Sequence, residues 1–164
     1  MPSVLLVCTA NICRSPMAEV ILRARLKEAG LESAQPVQSA GARAHPRGGE
    51  TMDARAAAAL QRHDYRPEKK WRSRRVQLED FERFDLILAM EAQNLDDLRK
   101  LCPAPPLQGK LRLLLDFAPG LEGQDVPDPY FGPTQGFDHV LGLIERGVAG
   151  LVAASRAGTP LDLR

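Results

Sequence analysis

The sequence predicts a three-layer α/β sandwich, a parallel sheet of about four strands with helices on both faces. Two observations carry this expectation. Short continuous apolar runs, Val4-Leu5-Leu6-Val7 first among them, have the pattern of strands buried on both faces. These runs alternate with longer segments of helical period, which implies right-handed crossovers between parallel strands. The length, 164 residues without repeats or a linker-like stretch, fits one domain over 1–164.

The elements follow in order. The first strand ends in a polar turn. After Ser15-Pro16 the period changes: Met17, Val20, Ile21, Ala24 and Leu31 recur at helical spacing, Pro16 suits a first turn, and Gly30 sits where a C-cap glycine belongs. Val37-Gln38-Ser39-Ala40 reads as a second strand. Asp53 to Arg62 is alanine-rich and helical. Phe84 to Met90 is the strongest central-strand segment, and it leads into a polar helix over Ala92 to Leu101. Pro103, Pro105 and Pro106 stop that helix. Leu111 to Leu115 is the fourth apolar run, 116–133 a Pro/Gly-rich loop, and Gln135 to Ala154 a last helix. The tail 155–164 is expected to fray.

Composition narrows the chemistry. A formal charge of +1 gives no global attraction to nucleic acid, and 44% hydrophobic residues is too many for a disordered chain. No apolar run reaches the roughly 18 residues of a membrane span, and Met1-Pro2-Ser3 does not start a signal peptide, so a cytoplasmic location is expected. Three cysteines make no disulfide framework. They read as thiols with chemistry of their own.

In parallel sheets of this kind, ligands bind beyond the carboxyl ends of the strands. There lies Cys8-Thr9-Ala10-Asn11-Ile12-Cys13-Arg14-Ser15, running from a strand end into a helix start. The amides and dipole of a helix N-terminus suit one phosphate-sized anion, and successive loop N–H groups can close around it. Arg14 adds a fork that grips two anionic oxygens. No Walker glycines are present, so this is not a nucleotide loop. Cys8 at its base is favoured as a thiolate and can attack phosphorus, giving a phosphocysteine, while Ser15 can donate a hydrogen bond to the sulfur. Asn11 suits a left-handed conformation. A Cys-to-Arg spacing of this kind is weak evidence by itself.

The longer string from Val7 to Glu19, Val-Cys-Thr-Ala-Asn-Ile-Cys-Arg-Ser-Pro-Met-Ala-Glu, closely resembles the signature of the low-molecular-weight protein tyrosine phosphatases. Ser39-Ala40-Gly41, Glu79-Asp80-Phe81 and Asp128-Pro129-Tyr130-Phe131-Gly132 resemble further landmarks of that family, so the likeness spans essentially the whole chain. It implies a flavodoxin-like fold, phosphate binding by residues 9–15, Cys8 as nucleophile, Arg14 as phosphate clamp and Asp128 as general acid. No cofactor or metal is implied, and a monomer is. The physics agrees: a carboxyl near the phenolic oxygen eases departure of a leaving group whose acid has a pKa of about 10. Pro129 holds Asp128 extended. Asp116, Glu122, Asp125 and Asp138, in a stretch without Lys or Arg, are expected to surround it with like charge.

A relative in the family acts on phosphoarginine and carries threonine just before the second cysteine. This chain has Ile12, the apolar choice of the tyrosine enzymes, and Tyr130 and Phe131 supply aromatic walls. Phosphotyrosine proteins or aryl phosphates are therefore the expected substrates, because serine and threonine phosphates are too short for a deep slot. An arginine phosphatase or a catalytically silent phosphate-binding module is the alternative. Arsenate reductase chemistry would need further cysteines after the third strand, where only Cys102 stands. Cys13 reads as a redox partner able to protect Cys8, and Ser39 as support for the loop.

His45, His63 and His139 lack ligand spacing, so no metal is expected. His45 is assigned to the pocket rim. Two departures stand out: Ala10 replaces the family's usual glycine, and Trp71 stands where a histidine supporting the loop would align. The basic stretch Arg62 to Arg75 reads as a solvated segment, with steering of anionic substrates as its functional version.

Overall fold

The computed structural model describes residues 1–31 and 36–158. A four-stranded parallel sheet of order β2-β1-β3-β4 is formed by β1 (Val4–Cys8), β2 (Val37–Gly41), β3 (Leu86–Ala89) and β4 (Leu111–Leu113). The helices are α1 (Arg14–Glu28), α2 (Ala54–Arg62), the one-turn α3 (Asp80–Arg83), α4 (Ala92–Leu101) and α5 (Gly136–Arg156). Two 3-10 turns, Pro105–Lys110 and Leu114–Phe117, flank β4. The expected sandwich is present, with strand order 2-1-3-4.

Alternation along β1 separates the two layers. Val4, Leu6 and Cys8 face a core with α1, α2 and α5, supplied by Met17, Ile21, Leu60, Leu141 and Ile144. Leu5 and Val7 face a second core with Phe81, Phe84 and Leu98. Central β1 and β3 are buried on both faces, which is why their sequences are continuous apolar runs. α5 lies so close to the turn after β4 that a Cβ at Gly150 would fall 1.7 Å from the Phe117 carbonyl oxygen. Only glycine fits that crossing.

Several boundaries differ from the sequence expectation. Strand β3 starts at Leu86, because the Phe84 backbone N–H caps α3 by bonding Asp80 and its ring fills the second core. The fourth run splits after Leu113, where the chain turns into a 3-10 helix with Asp116 accepting from the Leu113 amide. Ser155 and Arg156 belong to α5, and Ser155 Oγ donates to Leu151 O at 2.9 Å. The expected fraying is thus corrected at those two positions, and 159–164 lie outside the described residues. Gly30 has φ 68°, as the end of α1 requires.

Candidate active site

β1 carries Cys8 to the carboxyl edge of the sheet, and α1 begins at Arg14. The intervening loop is held from outside. The carbonyls of Cys8 and Thr9 accept the N–H groups of Ala42 and Arg43, each at 2.9 Å, and Ile12 O accepts from Asp53 N at 2.9 Å. In a trans peptide the following N–H points the opposite way, so the amides of Thr9, Ala10 and Cys13 turn from these anchors toward the loop interior. Asn11 takes the left-handed conformation, φ 59°, and Ala10 does not share it. The glycine-to-alanine departure therefore meets no backbone strain.

A cavity of about 330 Å³ opens over the loop, lined by Cys8, Thr9, Ala10, Ile12, Cys13, Arg14, Asp128, Tyr130 and Phe131. The structure thus brings together residues more than a hundred positions apart. Cys8 is buried, with Sγ 3.0 Å from Ser15 Oγ. The Arg14 side chain is almost fully enclosed: Nη1 donates to Val126 O at 2.9 Å, and Nη2 reaches Glu91 at 3.2 Å and Asp128 Oδ2 at 3.6 Å. Asp128 Oδ1 accepts the Tyr130 amide at 3.0 Å, which turns Oδ2 toward the arginine. Tyr130 and Phe131 meet edge to face at 4.9 Å between centroids, and Phe131 is 94% exposed.

Asn11, Ser15 and Ser39 form one buried network. Asn11 Nδ2 donates to Ser15 Oγ at 2.8 Å and to Ser39 Oγ at 3.1 Å, while its Oδ1 accepts from Arg74 N at 2.9 Å. Ser39 Oγ donates to Glu19 at 2.7 Å, and Trp71 Nε1 donates to the same oxygen at 3.2 Å. Trp71 thus occupies the expected histidine position with a different donor. Cys13 is buried, and its thiol is pushed up to about 12 by that burial and then by the charge of Asp53.

His45 is not among the residues lining the cavity: its Nδ1 accepts the Arg47 amide at 3.1 Å, closing its own exposed turn. The four acidic residues expected around Asp128 each have a partner of their own. Asp138 pairs with Arg62 at 2.9 Å, Asp116 and Glu122 accept the amides of Gly123 and Gly120, and Asp125 accepts the Ala92 amide. Asp128 lies against Arg14, sharing its Nη2 with the Glu91 carboxylate. Of the basic stretch, Arg62 is bound by Asp138 and Arg74 by both oxygens of Asp80 at 2.9 Å. Cys102 lies apart, its thiol donating to Ala104 O.

Three contributors were missed in the sequence. Glu91 grips Arg14, and buried Asn94 donates to Thr9 Oγ1 at 3.0 Å. Both follow the carboxyl end of β3, β1's neighbour in the sheet, and that position is the signal that would have found them. Arg55 pairs with Asp53 at 2.9 Å, donates to Tyr130 O at 3.0 Å and lies 5.1 Å from the Tyr130 ring centroid. It ties α2 to the Asp128 loop. Chemically the arrangement offers a thiol, inward amides and a guanidinium around one small volume, with a carboxyl on its far side.

A family model described as low molecular weight phosphotyrosine protein phosphatase matches residues 3–159. A low molecular weight protein-tyrosine-phosphatase of Streptomyces coelicolor is 42% identical over 152 residues, covering 92% of this chain and 91% of its own. The crystal structure of a low molecular weight phosphotyrosine phosphatase from Vibrio cholerae superposes with a TM-score of 0.87 at 39% identity, over 96% of this chain and 99% of that one. The arginine phosphatase YwlE, known from Bacillus subtilis, superposes with a TM-score of 0.82 at 27% identity, over 94% and 95%, as a cysteine-to-serine mutant with a phosphorylated active-site serine. Loop, sheet order and whole-chain likeness agree: this chain belongs to the low molecular weight phosphotyrosine protein phosphatase family.

Proposed function

We propose that this chain hydrolyses phosphotyrosine and related aryl phosphate monoesters through a phosphocysteine on Cys8. The observation that carries this reading is the convergence of Cys8, Arg14 and Asp128 on one cavity, with Arg14 Nη2 3.6 Å from Asp128 Oδ2. The loop amides and Arg14 hold the phosphoryl oxygens, where fixed dipoles stabilise charge that grows during displacement. The Cys8 thiolate attacks phosphorus, the phosphorus–oxygen bond to the phenol breaks, and the Asp128 carboxyl gives its proton to the departing oxygen. In the second step Asp128 takes a proton from water, the water oxygen attacks phosphorus, and the phosphorus–sulfur bond returns its electrons to Cys8. Inorganic phosphate leaves, and neither step requires a metal. The phosphorylated serine at the active site of the YwlE mutant supports a phosphoryl group on this position of the fold.

Ile12, Tyr130 and Phe131 line the cavity and favour a planar apolar leaving group. The second reading, phosphoarginine, has the YwlE likeness in its favour and Ile12 against it. Competition between phosphotyrosine and phosphoarginine peptides, with a burst of phenol from a chromogenic aryl phosphate as the primary readout, tests both. Preference for phosphoarginine would overturn the reading of Ile12, and no burst would overturn the phosphocysteine. We further propose that peroxide oxidises Cys8 to a sulfenic acid, which the Cys13 sulfur attacks, forming a disulfide and releasing water. Equal recovery of activity by a Cys13→Ala variant after peroxide and thiol treatment would sink that role. We also propose a monomer working in a reducing compartment, where Cys8, Cys13 and Cys102 are kept as thiols.

A further inference from the structure

Charge is unevenly placed on the two sides of the phosphate loop. The segment 66–75 climbs beside α1 toward that loop: Glu68 pairs with Arg23 at 3.7 Å, Trp71 donates to Glu19 at 3.2 Å, and the Arg74 backbone N–H donates to Asn11 Oδ1 at 2.9 Å. The climb from Arg23 to the first turn of α1 is about 14 Å long. At its top Arg75 bridges Gly41, and Gly41 is in register with Cys8, so the Arg75 Cα stands two strand spacings, about 10 Å, from that of Cys8. Arg66, Lys69, Lys70, Arg72 and Arg75 are exposed along this path. Among the described residues none of them has a carboxylate partner, whereas Arg74 is held by both oxygens of Asp80. Arg72 donates only to the carbonyls of Lys69 and Trp71, which leaves its charge uncancelled. The turn that carries exposed Arg47 is fastened to the same segment, Gly49 N to Ser73 O at 2.9 Å. Against these cations stands Glu50, joined to Ser73 through its backbone, so the surplus is positive.

β1 lies between β2 and β3, and the β3 side has the opposite sign. Glu91 and Asp128 both lie on Arg14, and exposed Asp125 accepts the Ala92 amide beside them. The mouth of the cavity is thus positive toward β2 and negative toward β3. Fields of this kind orient a charged partner and raise its encounter rate. We propose that the basic ridge from Arg66 to Arg75 is a docking surface for an acidic segment flanking the phosphotyrosine of a substrate protein, and that acid is read on one flank only. The proposal rests on the phosphotyrosine reading above and names the substrate class for it. A peptide whose phosphotyrosine is held over Cys8 sends one flank toward each side of the mouth. Acid on the first flank meets the ridge; acid on the second meets Glu91 and Asp125 and gains nothing. The ridge borders a single edge of the sheet in a chain of formal charge +1, so it offers nucleic acid or an anionic bilayer no broad basic face.

The test compares kcat/KM on three phosphotyrosine peptides of equal length, with glutamates before the phosphotyrosine, after it, or replaced throughout by alanine. An exposed ion pair is worth up to about fivefold, so two or three of them should give one acidic peptide about tenfold over the neutral peptide at about 20 mM salt. The gain should lie in KM, and the other acidic peptide should do no better than the neutral one. At about 0.5 M salt the preference should shrink below about twofold. Lys69→Gln, Lys70→Gln, Arg72→Gln and Arg75→Gln together should abolish it, and Arg72→Glu with Arg75→Glu should turn it toward lysines on the same flank. The readout is the ratio of charged to neutral peptide, which a general loss of fold or activity does not imitate. Equal rates on all three peptides, equal gains from both flanks, or a preference that survives the fourfold variant would overturn the proposal. Phosphatidylserine vesicles or duplex DNA bound through the same four residues, with the peptides alike, would give the ridge to another partner and overturn it too. Failure of the phosphotyrosine reading would look different: the neutral phosphotyrosine peptide would itself go unhydrolysed.

Discussion

Replacing Gly41 by alanine measures how tightly β2 holds the phosphate loop. A Cβ at Gly41 would lie 2.6 Å from the Thr9 carbonyl oxygen, 2.7 Å from Ala44 Cβ and 2.9 Å from the Ala10 carbonyl carbon. Ordinary contacts begin at 3.4 Å, so the Thr9 carbonyl must retreat by about 0.8 Å. It is backbone, and the bonds Ala42 N to Cys8 O and Arg43 N to Thr9 O, both 2.9 Å, fix it to the very segment that carries the new methyl group. The loop amides therefore move off the phosphoryl oxygens. Misplacement on this scale costs about 100-fold in rate, or about 2.7 kcal/mol of transition-state binding at 1.36 kcal/mol per tenfold. Overpacking should cost about 1–3 kcal/mol of stability, a Tm lower by about 2–12 °C for a chain of this size. Steady-state kcat/KM on an aryl phosphate and calorimetry supply the two numbers. Gly142→Ala is the control, since its Cβ meets nothing within 4 Å in α5 and should leave activity alone while raising Tm by about 2–4 °C. A Gly41→Ala protein with kcat/KM within twofold and an unchanged Tm would refute the reasoning.

Asp128→Asn should lower kcat by about 10²–10⁴-fold on phenyl phosphate and by much less on esters of more acidic phenols, which leave without a proton. An equal loss on both would remove the general acid. Arg55→Met cuts the strut from α2 to the Asp128 loop, so kcat/KM should drop about tenfold while Tm changes by less than about 4 °C; full activity would show that the loop holds itself. Alkaline stability follows from two groups. Burial and then Asp53 hold the Cys13 thiol up to about 12 from 9.0, and burial and then the hydrogen bond to Glu145 hold Tyr65 up to about 12 from 10.0. The folded protein keeps protons the unfolded chain gives up, so this contribution is complete below pH 9 and is lost as pH rises toward 12. The urea midpoint should fall more steeply over that window than in a Cys13→Ala, Tyr65→Phe double variant. Parallel curves would contradict it.

How legible each part was depends on what encodes it. The β1 and β3 runs, the α4 boundaries and the phosphate loop were readable because period and loop chemistry are local. One-turn α3 and the two 3-10 turns were not, since four to six residues carry no period to detect. The acidic stretch around Asp128 misled for the same reason in reverse. Neighbours in sequence suggested like-charge crowding, but each carboxylate is engaged by a partner elsewhere, Asp138 by Arg62 and Asp125 by the Ala92 amide.

By itself the sequence determined the strand–helix alternation, the loop from Cys8 to Ser15 and the three groups proposed to react, because each is written in contiguous residues. Tertiary structure alone decided their company. Parallel pairing of β1 with β3 set Glu91 and Asn94 against the phosphate loop, and pairing with β2 brought Ser39 under it. The first turn of α2 delivered Arg55 to the aromatic wall, and the segment before α3 delivered Trp71 to Glu19. Polar side chains choose partners by distance and by the donors and acceptors left over once the sheet has formed. That remainder exists only after strands far apart in the chain have found their order and register.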